Sequence, residues 1–199
     1  ILKALSFLSL KKTIYLLILI LGISLVSQAQ KLEKTFDKML NEQFKADEPG
    51  ATVLVAKEGE IIYHKAFGIA NMELDVKMES DMVLEIGSIT KQFTAVAILM
   101  LMEEGKLNLD DDITKFIANY PTHGYHISIH HLLNHTSGIK SYTSMEKWMS
   151  LWRSDYEPMD FIDIFKNEPM DFAPGEEWRY NNSAYFLLGI IIEKASGKT

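Results

Sequence analysis

The sequence predicts a mixed α/β (α+β) fold, and three observations predict it. Two short apolar runs, Ala51 to Ala56 and Ile61 to Phe67, flank the turn Lys57-Glu58-Gly59-Glu60 and read as a hairpin. The strand-like run Met82-Val83-Leu84-Glu85-Ile86-Gly87 leads directly into a long apolar helix, Phe93 to Glu104. A second apolar helix, Ala184 to Ala195, follows a polar loop near the end of the chain.

The elements follow in order. Lys11 and Lys12 precede the apolar run Ile14 to Val26, and Ser27-Gln28-Ala29 closes it with small residues at the outer positions. This is the pattern of a signal peptide, with cleavage expected after Ala29 and the remainder exported to the periplasm or outside the cell. The 13-residue run falls short of the roughly 20 that a spanning helix needs, so no stable membrane span is expected after cleavage. Lys31 to Phe44 spaces Leu32, Phe36, Met39, Leu40 and Phe44 near one helical face, and Pro49-Gly50 ends that helix. After the hairpin, Gly68 to Ser80 is expected to be irregular.

Gly105 is the expected terminator of the Phe93–Glu104 helix. Asp110, Asp111 and Asp112 precede Ile113 to Ile117; acids at a helix start satisfy free amides, which explains them better than a metal does. Ser128 is placed to cap a short helix through Asn134, and His135-Thr136-Ser137-Gly138 turns the chain. Met145 to Phe165 reads as helical in pieces, and Asn182 or Ser183 starts the last helix. No internal repeat or low-complexity linker is present.

The chain has 199 residues, 47% of them hydrophobic, and no cysteine. A disulfide framework and a lipid-modified cysteine are therefore both excluded. The leader holds three lysines and no acid, which leaves 17 basic and 27 acidic side chains, net −10, in the remainder. Such a surface repels nucleic acid, and no basic patch appears. The chain begins on Ile1 and stops at Thr199 immediately after a Ser-Gly helix terminator, so a partial reading frame is expected.

Chemistry concentrates in two places. Ser88-Ile89-Thr90-Lys91 opens the long helix, and residues three apart on a helix share a face. A lysine amine desolvated there and lowered in pKa can take the serine proton and make a nucleophile. Ser-x-x-Lys also occurs at Ser9/Lys12, Ser137/Lys140 and Ser144/Lys147, but only Ser88 has the strand-to-helix setting. The second place is Tyr180-Asn181-Asn182, a lone Tyr-x-Asn in a polar loop before an apolar helix. A tyrosine there can shuttle protons, and an asparagine amide can orient both a lysine and a substrate amide.

Two decoys are set aside. Gly197-Lys198-Thr199 would end a phosphate-binding loop only if glycine stood at Ile192 after a strand. His123, His126, His130, His131 and His135 invite a zinc reading, yet Leu132-Leu133-Asn134 between the last two lacks the zincin glutamate, so a structural role is favoured. No metal and no organic cofactor is expected.

Taken together these segments resemble the serine β-lactamase-related family, which includes class C β-lactamases, D,D-carboxypeptidases and their esterase and D-aminopeptidase relatives. Gly87 to Thr94 is similar to the family's nucleophile segment, and Ile127 to Gly138 to a structural stretch. Phe172-Ala173-Pro174-Gly175 through Tyr180-Asn181-Asn182 and Leu187-Leu188-Gly189 is similar to the segment bearing its second motif. The resemblance runs from about Phe36 to Thr199. It implies a β-lactamase/transpeptidase-like fold, an antiparallel sheet flanked by helices with a mostly helical subdomain. Residues 30–106 would supply the hairpin and nucleophile helix, 107–171 the helical subdomain, and 172–199 the Tyr-x-Asn loop and last helix.

It further implies Ser88 as the acylated nucleophile, Lys91 as its base partner, Tyr180 as proton shuttle and Asn182 as a contact to substrate and lysine. The Ser88 amide would be one oxyanion donor. The family's third motif, Lys or His followed by a small residue and glycine on a late strand, is not Ser196-Gly197-Lys198-Thr199. That strand, its second oxyanion amide and the C-terminal part of the sheet are expected to be missing from this chain. The implied activity is an exported serine hydrolase that cleaves an amide or ester in a small molecule or peptide, peptidoglycan fragments and β-lactams included. The alternative is a protein that is only acylated, a sensor or a truncated remnant; fast release of product separates the two.

Overall fold

The computed structural model describes residues 30–198, so the expected signal peptide lies outside the described residues. Two compact units divide at Leu84/Glu85.

In the first unit, helix α1 covers residues 30–43 and strands β1 (Ala51–Lys57) and β2 (Glu60–Phe67) pair antiparallel, with Val53 opposite Lys65. Their two-residue turn needs left-handed backbone twice, at Glu58 (φ 53°) and Gly59 (φ 86°), which fits the right-handed twist of the strands. α1 is held on β2 by Tyr63, whose hydroxyl donates to Asp37 Oδ1 at 2.7 Å. Burial, then Asp37, push that phenol up to about 12. Lys65 bridges Asp37 and Glu33, each at 2.8 Å. α1 already ends at residue 43, ahead of Pro49-Gly50, whose glycine has another role: a Cβ on Gly50 would sit 2.0 Å from the Phe67 carbonyl, so only glycine allows the chain to pass β2 there. Gly68 to Ser80 is more regular than expected. Ile69–Asn71 (β3) and Val76–Lys77 (β4) form a small antiparallel ladder, closed by Asn71 Oδ1 accepting from the Leu74 N–H.

The strand expected at Met82 to Gly87 is not formed. This stretch is irregular, Val83 is 99% exposed, and among the described residues no strand offers it a ladder. Apolar residues alone do not make a strand; the ladder partner does.

The second unit is helical. Gly87 turns with φ 52° into the 3₁₀ turn Gly87–Ile89, which runs into α2 (Thr90–Glu103). Gly105, at φ 70°, ends that helix as expected. Asp112 caps the 3₁₀ turn Ile113–Lys115 by accepting from the Thr114 N–H at 2.9 Å, and also accepts from the Ile127 N–H. Ser128 caps α3 (Ile129–Leu133), and the His131 ring returns the favour by accepting from the Ser128 N–H. The pieces between Met145 and Phe165 are α4 (Trp148–Leu151) and α5 (Pro158–Asp163). The last helix, α6 (Asn182–Ser196), starts at Asn182, within the expected pair, and is capped by Asn181. Its Leu187, Leu188 and Ile191 are fully buried against Ile98 of α2 and Leu132 of α3. Burial of this kind contributes about 1.5–3 kcal/mol per side chain.

Candidate active site

The core of the second unit explains why residues distant in sequence meet. α6 packs on α2 and α3, so its N-terminus and the N-terminus of α2 lie side by side. A row of hydrogen bonds then ties the start of α6 to the loop after α3. The Tyr142 N–H donates to Ser183 Oγ at 2.8 Å, the Asn182 N–H to Ser141 Oγ at 3.2 Å, and Asn181 Nδ2 to the Ile139 carbonyl. Asn181 Oδ1 accepts from the Ala184 N–H at 2.8 Å and fixes the first turn of the helix.

On this frame the structure brings all four singled-out side chains into one network. The Tyr180 hydroxyl donates to Ser88 Oγ at 2.6 Å. Lys91 Nζ lies 3.4 Å from Ser88 Oγ and donates to Asn182 Oδ1 at 2.7 Å. The Asn182 amide nitrogen donates to Thr143 Oγ1 at 3.0 Å, which settles the orientation of that carboxamide with its oxygen toward the lysine. The Lys91 ammonium also stands 4.8 Å from the centre of the Tyr180 ring and 5.4 Å from that of Tyr185. Burial pushes the Tyr180 phenol up, but the Lys91 ammonium and the bond to Ser88 outweigh it, so its pKa falls below the ordinary tyrosine value.

Three residues take part in the site that the sequence alone did not assign to it. Thr143 and Asn181 carry weak signals, a threonine in a Ser/Thr-rich stretch and an asparagine just before an apolar helix. His135 is the third. It has left-handed backbone (φ 65°), its carbonyl accepts from the Arg179 N–H at 2.9 Å, and its ring Nδ1 accepts from the Asn181 N–H at 3.2 Å. Among the described residues no cluster of metal-ligating side chains is present.

A hydroxyl, an ammonium, a phenol and a carboxamide sharing one network at a helix start is an arrangement suited to acyl transfer. Comparison with known proteins points the same way. A family model described as Beta-lactamase matches residues 29–199. The chain is 39% identical over 150 residues to penicillin-binding protein 4* of Bacillus subtilis, a match covering 73% of this chain and 32% of that one. It is 34% identical over 187 residues to esterase EstB of Burkholderia gladioli, covering 86% of this chain and 46% of that one. The crystal structure of a penicillin-binding protein from Bacillus halodurans superposes with a TM-score of 0.66 at 32% identity, over 81% of this chain and 50% of that one. The chain thus spans about a third to a half of the length of these relatives. Its fold is the β-lactamase/transpeptidase fold, of which the described residues supply the β1–β2 ladder and the helices. The chain belongs to the serine β-lactamase-related family, a family of serine hydrolases.

Proposed function

We propose that the protein is an exported hydrolase that cleaves an amide or ester through an acyl-enzyme on Ser88. The observation that carries this is the 2.6 Å contact between Tyr180 and Ser88, with Lys91 beside both. Tyr180 is the nearer group and its pKa is lowered; once its own proton is lost to solvent, the phenolate accepts the Ser88 proton, while Lys91, held by Asn182, stands beside it. Ser88 Oγ then adds to the substrate carbonyl. The Ser88 N–H, at the head of α2, donates to the developing oxyanion and the helix dipole adds to it. As the tetrahedral adduct collapses, Tyr180 returns its proton to the leaving amine or alcohol. Water attacks the acyl-serine by the same route in reverse: Tyr180 takes a proton from water, and Ser88 Oγ leaves with that proton. Asn182 keeps one N–H for the substrate carbonyl beside its bond to Thr143.

In this reading residues 30–199 are the N-terminal portion of one hydrolase domain, and residues 1–29 a signal peptide. Among the described residues no helix is long and apolar enough to cross a membrane. The names of the relatives, a penicillin-binding protein and an esterase, support a small-molecule or peptide substrate with an acyl group, which includes peptidoglycan-derived peptides and β-lactams. No cofactor takes part.

The test is turnover by the full-length protein on a chromogenic β-lactam, p-nitrophenyl esters and a D-Ala-D-Ala peptide. Steady-state release of product from at least one, abolished in Ser88→Ala, is the expected result. A stoichiometric burst with no turnover would instead mark a sensor that stays acylated, and equal turnover by Ser88→Ala would reject the mechanism.

A further inference from the structure

His135 stands in an unusual position. A non-glycine residue with left-handed backbone beside a candidate site calls for an explanation, and histidine is among the few residues that adopt it at modest cost. What the conformation achieves is visible in its bonds. The carbonyl of His135 holds the Arg179 N–H at 2.9 Å, and its ring Nδ1 holds the Asn181 N–H at 3.2 Å. The main-chain amides on both sides of Tyr180 are thus fixed by a single residue. The ring centre also lies 4.8 Å from that of Tyr180 and 5.1 Å from that of Tyr185. Because a main-chain N–H can only donate, Nδ1 is unprotonated and the neutral ring carries its hydrogen on Nε2.

We propose that His135 is a positioning residue for Tyr180 and that protonation of its ring disengages the clamp, so the hydrolase loses acylation rate on the acid side. This rests on the reading of Tyr180 as the base for Ser88. A protonated ring has no acceptor for the Asn181 N–H, and Tyr180 then loses one of the two anchors that hold its hydroxyl on Ser88 Oγ. The titratable groups that face the ring are Lys91 of α2, Tyr180 of the loop and Tyr185 of α6. None is a carboxylate, and Tyr180 is a neutral phenol in the acid range where the ring would protonate. Burial, then the Lys91 ammonium, hold the His135 pKa below the usual histidine value, which keeps the clamp engaged at neutral pH.

The experiment compares the full-length wild type, His135→Asn and His135→Ala. Asparagine tolerates left-handed backbone, and its Oδ1 can stand in for Nδ1 as acceptor, but it does not titrate. The readout is the rate of fluorophosphonate labelling at Ser88 as a function of pH, beside the Asn181 amide proton shift by NMR. Expected results are a loss of about 10- to 100-fold in labelling rate for His135→Ala at pH ~8, from misplacement of Tyr180, and rescue to within about threefold by His135→Asn. The wild type should show an inflection below pH ~6.5 that His135→Asn lacks, and the Asn181 amide shift should follow that inflection in the wild type only. A wild-type inflection retained in His135→Asn, or His135→Ala labelling at the wild-type rate, would overturn the proposal. Should Ser88 take no label in the wild type, the proposed function fails, and the NMR titration still decides the clamp. An Asn181 amide that ignores His135 titration rejects it.

Discussion

The two units hold themselves together by different physics. In residues 30–84, α1 meets β2 through an ion-pair cluster, Lys65 between Asp37 and Glu33, and a small apolar set in which only Leu40 and Tyr63 are buried, with Phe36 edge-on to Tyr63. The hairpin leaves Leu54, Ile61 and Ile62 exposed, as two strands with no further ladder among the described residues must. In residues 85–198 the contacts are a continuous aliphatic core, with Ile98, Leu132, Leu187 and Ile191 at zero exposure, and polar straps at its edge. The candidate site is built wholly in this second unit. The proposed nucleophile and its proton acceptor, 92 residues apart, need a support that does not yield, and close packing supplies one where surface ion pairs do not.

Substitutions can break or sharpen that contrast. The largest effect is expected from Ser88→Ala, which should remove both turnover and covalent labelling while leaving the melting temperature unchanged, as calorimetry would check. Tyr180→Phe should cost about 10²–10⁴ in acylation rate, the usual contribution of a general acid–base group. It should also remove the rise of kcat/KM with pH that the wild type shows through a pKa below the ordinary tyrosine value, because the phenolate is the active form. In the core, Leu187→Ala should destabilise by about 2–5 kcal/mol in denaturant titration.

A smaller effect is expected for pH. The unfolded chain protonates His135 near pH ~6.5, before the folded protein does, so the neutral-ring contribution to stability is complete above that pH and declines as pH falls through it. Thermal midpoints of wild type and His135→Asn should therefore converge or cross on acidification, not diverge in the wild type's favour. Smallest of all is Lys65→Met in the first unit. It should lower the melting temperature less than Leu187→Ala does, and the difference from wild type should shrink at 1 M salt, where the Debye length is about 3 Å.

What the sequence made legible follows the same division between local and distant causes. The hairpin turn at Glu58-Gly59, the end of α2 at Gly105 and the cap at Ser128 are local chemistry, and each stands where its residues put it. Ser88, Lys91, Tyr180 and Asn182 could be singled out from two short motifs, although the 2.6 Å and 2.7 Å contacts that join the motifs come from packing of α6 on α2. Met82 to Gly87 misled because apolar composition carries no information about a missing ladder partner. Asn181 and His135 stand named in the sequence, His135 with a structural role, but their partners in the site were not legible, for a related reason. A cap one residue earlier, or a ring that accepts from an amide 46 residues away, is invisible until the chain has folded.

The central claim is that Ser88 is a nucleophile activated by Tyr180. Its most direct test is covalent labelling of the full-length protein with a fluorophosphonate, followed by intact-mass and peptide mass spectrometry on wild type and Tyr180→Phe. The account predicts one label per chain, on the Ser88 peptide, forming about 10²–10⁴ times more slowly without the phenol. A label on any other serine, or equal rates in the two proteins, would contradict it.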